Sequence, residues 1–587
     1  MTGLAVWAPR ARRVDATTSE GDLALEPSGR GWWSSPRAVR PGVDYGFRLD
    51  GGEALPDPRS RWQPAGVFGP SRLVDPEGYV WGDAGFRATP LDRAVLYELH
   101  VGTFSREGTF RGAIRHLDAL AELGITHVEL MPVAAFSGER GWGYDGVLLF
   151  APHPAYGAPD DLKALVDACH GRGLAVIFDV VHNHFGAEGN VLPRFGPYLS
   201  ERHHTPWGQA PNLDGPDSSE VRRYLIESAL AWLRDYHGDG LRLDAVHALI
   251  DLSAFHLVEE LARDVASASR ALGRPLVVMA ESDANDPRLV VPPARGGFGL
   301  DAIWDDDFHH ALHACLTGES AGYYADFGGL RQLEKAYARG FVYAGEYSAY
   351  RRRRQGRPAP ELSGEELVGF AQNHDQVGNR ARGDRLSFAL ATPRLLLAAG
   401  LVLTAPFVPL LFQGEEWASS SPFLYFCDPQ DPSLAEATRK GRLAEFEAFG
   451  WEPEEIADPC APDTFMRSKL AWEERELPRH RAVLDGHRAL VRLRRRLPDL
   501  RDPTLRPDLV QYSADDGWLR LRRGRCQVVA NFSERPARVP VEADADQRLL
   551  FSSPDGVELE GTSLLLPPDG FAVLGPKLGA EGDGALT

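Results

Sequence analysis

Gly240-Leu241-Arg242-Leu243-Asp244-Ala245-Val246-His247 reads as a short buried strand that ends in charge. In an extended chain, residues two apart share a face, so Arg242 and Asp244 lie together while Leu243 points to the opposite layer. Burying either charge alone costs on the order of several kcal/mol, and a buried pair is neutral only with good geometry. Two charges at the exit of an apolar strand therefore call for a functional reason. The same kind of exit recurs in Phe178-Asp179-Val180-Val181-His182-Asn183-His184, in Val277-Val278-Met279-Ala280-Glu281-Ser282-Asp283 and in Asn373-His374-Asp375-Gln376.

Around these segments the chain alternates strand and helix from residue 94 onward. Strands are expected at Ala94 to Gly102, Thr126 to Val133, Leu174 to Val181, Leu241 to Val246, Pro275 to Glu281, Ala302 to Asp307, Leu367 to Asn373 and Phe407 to Phe412. Helices are expected at Ala113 to Glu122, from Pro159-Asp160-Asp161 onward and at Ser219 to Tyr236, the last after a long loop. Short strands rich in Val, Ile and Leu are buried on both faces. Eight of them alternating with helices predict an α/β protein with a (β/α)8 TIM barrel, whose sites lie at the C-terminal strand ends.

On either side the rhythm changes to short apolar segments broken by glycine and proline. The expected layout is an N-terminal β-sandwich over 1–88, immunoglobulin-like and carbohydrate-binding-like, a barrel with long loops over 89–500, and a C-terminal antiparallel β domain over 501–587. Asp57 to Pro64 reads as a rigid strap against the barrel, with Trp62 either packed in it or in contact with sugar. The segment 430–500 is charged and helical in pattern, and Leu395 to Leu403 is the end of a buried helix. The basic run Arg351 to Arg354, followed by Arg357, reads as a solvated or partner-facing surface.

The 587 residues carry 83 acidic and 64 basic side chains, a net charge of −19 that would repel a polyphosphate backbone, so no nucleic acid partner is expected. Five scattered cysteines suggest reduced thiols rather than a disulfide framework or a zinc cluster. With no signal-peptide pattern and no apolar run of the roughly 18 residues that crossing a bilayer takes, a cytoplasmic protein without a membrane partner is expected. The chain has no glycine-rich phosphate loop between a strand and a helix and no His-Glu-x-x-His, and no cofactor is expected.

Three carboxylates, Asp244, Glu281 and Asp375, meet at strand ends of one barrel. Retaining glycosidases use a nucleophilic carboxylate and a general acid about 5–5.5 Å apart, and neighbouring strands about 4.8 Å apart allow that spacing for Asp244 and Glu281. Arg242 beside Asp244 favours an ionised nucleophile, whereas the like charges of Asp244 and Asp375 favour a protonated Glu281. The expected roles are Asp244 as nucleophile, Glu281 as acid then base, and Asp375 as the group that holds sugar hydroxyls and helps to distort the ring.

Asp179 to His184, Gly240 to His247, Glu281 and Asn373-His374-Asp375 resemble the four signature regions of glycoside hydrolase family 13, the α-amylase family, in the right order. That resemblance implies the same three catalytic roles, with Asp375 as transition-state stabiliser. It also implies that Arg242, His184 and His374 hydrogen-bond the sugar in subsite −1 and that Tyr144 stacks on it. The run Glu281-Ser282-Asp283-Ala284-Asn285-Asp286-Pro287-Arg288, with Phe195-Gly196-Pro197-Tyr198, Thr205-Pro206-Trp207-Gly208 and Gln372 to Arg380, is similar to the branch that releases trehalose. Members of that branch hydrolyse the α-1,4 bond next to the terminal trehalose unit of maltooligosyl trehalose. Branching and debranching enzymes share the catalytic residues, and a barrel that has lost catalysis would have lost the acid or the nucleophile.

Further substrate contacts are expected from Trp207, His247, Asp283, Gln376 and Arg380. The loop carrying His203, His204, Trp207, Asn212 and Asp214 offers flat and hydrogen-bonding side chains suited to a sugar. Glu415-Glu416-Trp417, Asp305 to Asp307 and Trp142-Gly143-Tyr144-Asp145 are expected to rim the mouth, with Trp304 and Phe308 in the core. Asn183 matches a calcium-ligand position of the family, but the loop's other carboxylates form no calcium pattern, and no metal is expected.

Overall fold

The computed structural model describes residues 2–75, 77–447, 456–542 and 546–577. Eight parallel strands close into a barrel in chain order: β1 Leu96–Leu99, β2 His127–Leu130, β3 Ala175–Val180, β4 Gly240–Leu243, β5 Val277–Glu281, β6 Ala302–Trp304, β7 Leu367–Phe370 and β8 Val408–Phe412, which pairs back to β1. Every expected strand is present but trimmed. The polar exits after β3, β4 and β7 lie beyond the last paired residue, and the segment after β6 turns directly into helix α2, Asp306–Thr317. The expected helix at Ala113 to Glu122 is two short ones, Phe110–Ile114 capped by Thr109, and Leu117–Leu123.

The two-residue period sorts each strand. Leu96, Ile177, Met279, Ala302, Trp304, Val368, Phe370, Val408 and Leu410 fill the barrel interior, while Leu241 and Val128 join the outer core against the helices. Helix α1, Ser218–Arg234, follows the long loop after β3, which holds its own hairpin, Leu199–Thr205 paired with Gly208–Pro211.

The N-terminal region folds as two antiparallel sheets, one built on Trp32–Val39 and one on Asp44–Leu49. It rests on α1 and on the loop after β3. The Trp7 ring meets Tyr198 edge-on at 5.3 Å, and a Cβ on Gly196 would fall 2.8 Å from that Trp7 ring, so only glycine permits the approach. The strap bonds to α1: Arg59 pairs with Glu227, Arg61 with Asp235, and Tyr224 Oη donates to the Pro58 carbonyl at 3.1 Å.

The C-terminal region is a five-stranded sheet facing a three-stranded one. It packs on helix α3, Thr392–Leu403, where Phe571 lies over Gly400. Helices Pro432–Glu447, Pro462–Arg467 and Pro478–Arg496 fill the segment before it. All five cysteines are unbridged, and Cys427 and Cys460 approach to 3.5 Å between Sγ atoms. Among the described residues no helix is long and apolar enough to cross a membrane.

Candidate active site

The site is built on a charged layer in the barrel mouth. Arg242, fully buried on β4, points inward by the strand period and is in register with Asp179 on β3. Its Nη1 donates to Asp179 at 2.9 and 3.0 Å and to Asp244 Oδ1 at 2.8 Å, while Nη2 lies 3.7 Å from Glu281 Oε2. The guanidinium also sits 4.6 Å from the Trp304 ring centre, a cation–π contact that uses a face the carboxylates leave free. Burial opposes this charge, but the surrounding carboxylates outweigh it and hold the Arg242 pKa well above its ordinary value.

Asp244 emerges just past β4. Its backbone N–H continues the ladder to Val180, and Asn183 Nδ2 donates to its Oδ2 at 2.7 Å and to its carbonyl at 2.9 Å. Ala245 then takes a left-handed φ of 40°, and its N–H donates to Glu281 Oε2 at 2.7 Å. Glu281 closes β5, and burial first, then Asp244, Asp306 and Asp375, push its pKa well above the ordinary range against the pull of Arg242. Like charges were expected to do this; removal from water does more of it.

Asp375 stands in the first turn of a short helix, His374–Gly378, whose cap Asn373 accepts from the N–H groups of Asp375 and Gln376. Its side chain is 46% exposed, against 13% for Asp244 and 14% for Glu281, so it presents itself to the cleft. His374 Nε2 lies 3.5 Å from Asp375 Oδ1 and 2.8 Å from Tyr144 Oη, and the Tyr144 and His374 rings stack at 5.1 Å. Tyr144 donates its own proton to Asp179 at 2.6 Å. Burial lowers the pKa of His184, which bonds to Asn183 and carries the Trp207 ring stacked over it at 5.2 Å. Trp207 is 51% exposed at the hairpin turn.

The remaining candidates separate. Asp283, two residues past Glu281, pairs with Arg351 at 2.6 Å and with His247 at 3.9 Å, and these charges hold its pKa low although burial works the other way. Arg351 therefore belongs to the cleft edge, not to a solvated patch. Gln376 reaches Asp306 at 3.4 Å. Arg380 is held by Asp384 at 2.8 Å and Glu319 at 2.9 Å.

Of the loop after β3, Asn212 binds backbone carbonyls and Asp214 binds Arg202 and His203, so these side chains shape the loop. Glu415, Glu416 and Trp417 do not rim the mouth. Gly414 and Ala418 take positive φ and fold the segment back into the layer outside β1, where Tyr97 Oη donates to Glu416 at 3.0 Å and burial raises Glu415 to about 8 and Glu416 to about 7. Asp305 and Asp307 are likewise buried, at the cap and first turn of α2, and Trp142 is buried with its Nε1 on the Leu424 carbonyl; Tyr144 and Asp306 of these segments face the site. No group of three or more His, Cys, Asp or Glu side chains able to hold a metal occurs among the described residues.

One residue pair went unread in the sequence. Glu98 on β1 and Glu129 on β2 are fully buried and directly paired in register beneath His374. A single glutamate within each four-residue apolar strand, Leu96-Tyr97-Glu98-Leu99 and His127-Val128-Glu129-Leu130, was the available signal.

The family model described as alpha amylase, catalytic domain, matches residues 70–196, and one for a domain of unknown function matches 510–573. The chain is 50% identical over 543 residues to the malto-oligosyltrehalose trehalohydrolase of Arthrobacter ramosus, covering 91% of this chain and 93% of that one. The chain belongs to the malto-oligosyltrehalose trehalohydrolase family. The enzyme of that name from Rhizobium sp. (strain M-11) is 46% identical over 97% of both chains. A crystal structure of an α-amylase-like protein from Salmonella typhimurium superposes with a TM-score of 0.88 at 40% identity, covering 98% of this chain and 97% of that one. Members of the trehalohydrolase family are glycosidases, and the barrel with flanking β domains is the fold this chain shares with the Salmonella typhimurium structure.

Proposed function

We propose that this protein is a retaining glycosidase that cleaves the α-1,4-glucosidic bond next to the terminal trehalose unit of maltooligosyl trehalose and releases trehalose. The observation that carries the chemistry is the shared grip on Asp244 and Glu281. Arg242 touches both, and the peptide N–H next to Asp244 binds Glu281. A grip from one guanidinium brings both carboxyls to the same end of the barrel, and we take the retaining route, which uses carboxyls about 5–5.5 Å apart.

Glu281, kept protonated, gives its proton to the leaving glycosidic oxygen as Asp244 attacks the anomeric carbon. Asp375 holds hydroxyls of the same sugar, and Tyr144 offers its ring face. Glu281, now ionised, takes a proton from water as the covalent ester is hydrolysed, and the glycone leaves with its original anomeric configuration. Asp283, Arg351 and His247 continue from the acid along the cleft edge and suit the hydroxyl-rich trehalose unit that leaves.

Separate incubations with maltooligosyl trehalose, maltooligosaccharides and amylopectin test this reading. Trehalose is expected from the first substrate, with the α anomer of the glycone appearing first by NMR. New α-1,6 linkages, or debranching of amylopectin without trehalose release, would overturn it.

A further inference from the structure

His374 is wedged between partners at both of its ring nitrogens. Its Nδ1 faces Glu98 Oε1, and the same carboxylate accepts the His374 backbone N–H through Oε2 at 3.0 Å. Its Nε2 faces Tyr144 Oη at 2.8 Å. Tyr144 has one proton, and it is donated to Asp179 at 2.6 Å, where Arg242 holds the carboxylate. With Asp179 ionised, above the pKa of about 6 to which burial raises it, the tyrosine oxygen accepts from His374, and both ring nitrogens are placed to donate.

We propose that Glu98 is a positioning residue for the glycosidic reaction: by gripping the ring and backbone of His374 it keeps that side chain an imidazolium at working pH, and the fixed cation in turn aligns Asp375 and Tyr144 against the sugar. This rests on the glycosidase reading and deepens it. Burial alone would discharge His374, yet Glu98 and Asp375 raise its pKa to about 9, with Arg242 opposing. The groups facing it are Glu98 from β1, Tyr144 from the loop after β2, Asp375 from its own helix, and, beyond contact, Glu129 from β2, Asp179 from β3, Arg242 from β4 and His100.

Glu129 supplies the internal contrast. It pairs with Glu98 across β1 and β2, yet neither of its carboxyl oxygens has a hydrogen-bond partner among the described residues. Burial, reinforced by Glu98 and Asp179, raises its pKa well above the ordinary range, so it sits in the interior as a neutral acid. Two carboxyls side by side in one apolar barrel thus differ in their contacts, since Glu98 grips His374 and Glu129 does not.

The test is the pH profile of kcat for Glu98→Gln, Glu98→Asp and Glu129→Gln, on whichever α-glucan the wild type cleaves. The imidazolium is populated below its pKa and lost above it. Glu98→Gln, which lowers that pKa, is therefore expected to move the alkaline limb of kcat to lower pH, with a loss of roughly tenfold or more at pH 8 that shrinks toward pH 5.5 and little change in KM. Glu98→Asp, which keeps the charge, is expected to lie between, and it carries the test if the glutamine variant does not fold. Glu129→Gln, replacing an acid that is already neutral, is expected to keep the wild-type limb. In a His374→Asn background Glu98→Gln is expected to cost nothing more. A loss equal at all pH values, or additive with His374→Asn, would make Glu98 merely structural and overturn the proposal. Absence of trehalose from the wild type would count against the substrate reading instead.

Discussion

The backbone N–H of Ala245 donates to Glu281 across 2.7 Å, from a residue whose φ is 40°. A left-handed alanine costs about 1–3 kcal/mol and persists only where its surroundings impose it. Here it turns the peptide after Asp244, the proposed nucleophile, toward Glu281, the proposed acid, so the two carboxyls share a backbone link as well as Arg242. The strain lies on the chain segment that sets their spacing.

Glu281→Gln keeps an oxygen to accept that N–H but has no proton to give. The variant is expected to fold with an unchanged thermal midpoint and to lose about 10²- to 10⁴-fold in kcat. A substrate whose leaving group needs no protonation should recover much of the first step. Full activity in the variant would remove Glu281 from the acid role.

The pH profile should report the neighbours of the acid. Glu281 works protonated, so activity falls as pH rises through its raised pKa. Asp306, itself pushed up to about 7 by burial and by Asp283 and Asp375, is one of the like charges raising Glu281. Asp306→Asn is expected to lower the Glu281 pKa and bring the alkaline limb of kcat/KM to lower pH by up to about one unit. An unmoved limb would show that Asp306 has no part in setting it.

Trp207→Ala removes an exposed ring that rests on His184 without contributing to the core. If the ring meets sugar, KM for maltooligosyl trehalose should rise several-fold, about 0.5–1.5 kcal/mol of stacking, with kcat and thermal midpoint nearly unchanged. An unchanged KM would confine Trp207 to the loop surface.

Gly400→Ala tests the seat of the C-terminal domain. The added methyl would fall 2.3 Å from the Phe571 ring, in a buried helix with no room to yield. A loss of about 1–3 kcal/mol is expected, read as a lower thermal midpoint at fixed scan rate, with the same trehalose release per folded molecule.

The barrel was legible because its strands are buried on both faces, so polar residues at their ends stand out against Val, Ile and Leu. Asp244, Glu281 and Asp375 were found on that contrast, and Tyr144, His184, Arg242 and His374 gather around them as the family resemblance implied. Sequence contrast failed where charge lies inside a strand. Glu98 and Glu129 look like ordinary alternation until the closed barrel turns both inward. It failed again where distance along the chain hid a contact: Arg351 reaches Asp283 across 68 positions, and no local pattern tells that arginine from its exposed neighbours. Glu415 and Glu416 misled in the opposite direction, since two adjacent acids after a strand look solvated unless the backbone reversals at Gly414 and Ala418 are known.

The packing of Trp7 on Gly196 and Tyr198, and of the strap arginines on α1, has a consequence for how this enzyme can diverge. The segment that presents Trp207 to the cleft is clamped from outside the barrel, by a unit that contributes none of the three catalytic carboxylates. The hairpin at the entrance and the three carboxylates are therefore held by two separate parts of the chain. Changes in the sandwich seam could widen or narrow the entrance while the bond-breaking apparatus stayed as it was, and a related chain could acquire a new glucan preference without touching a single catalytic side chain.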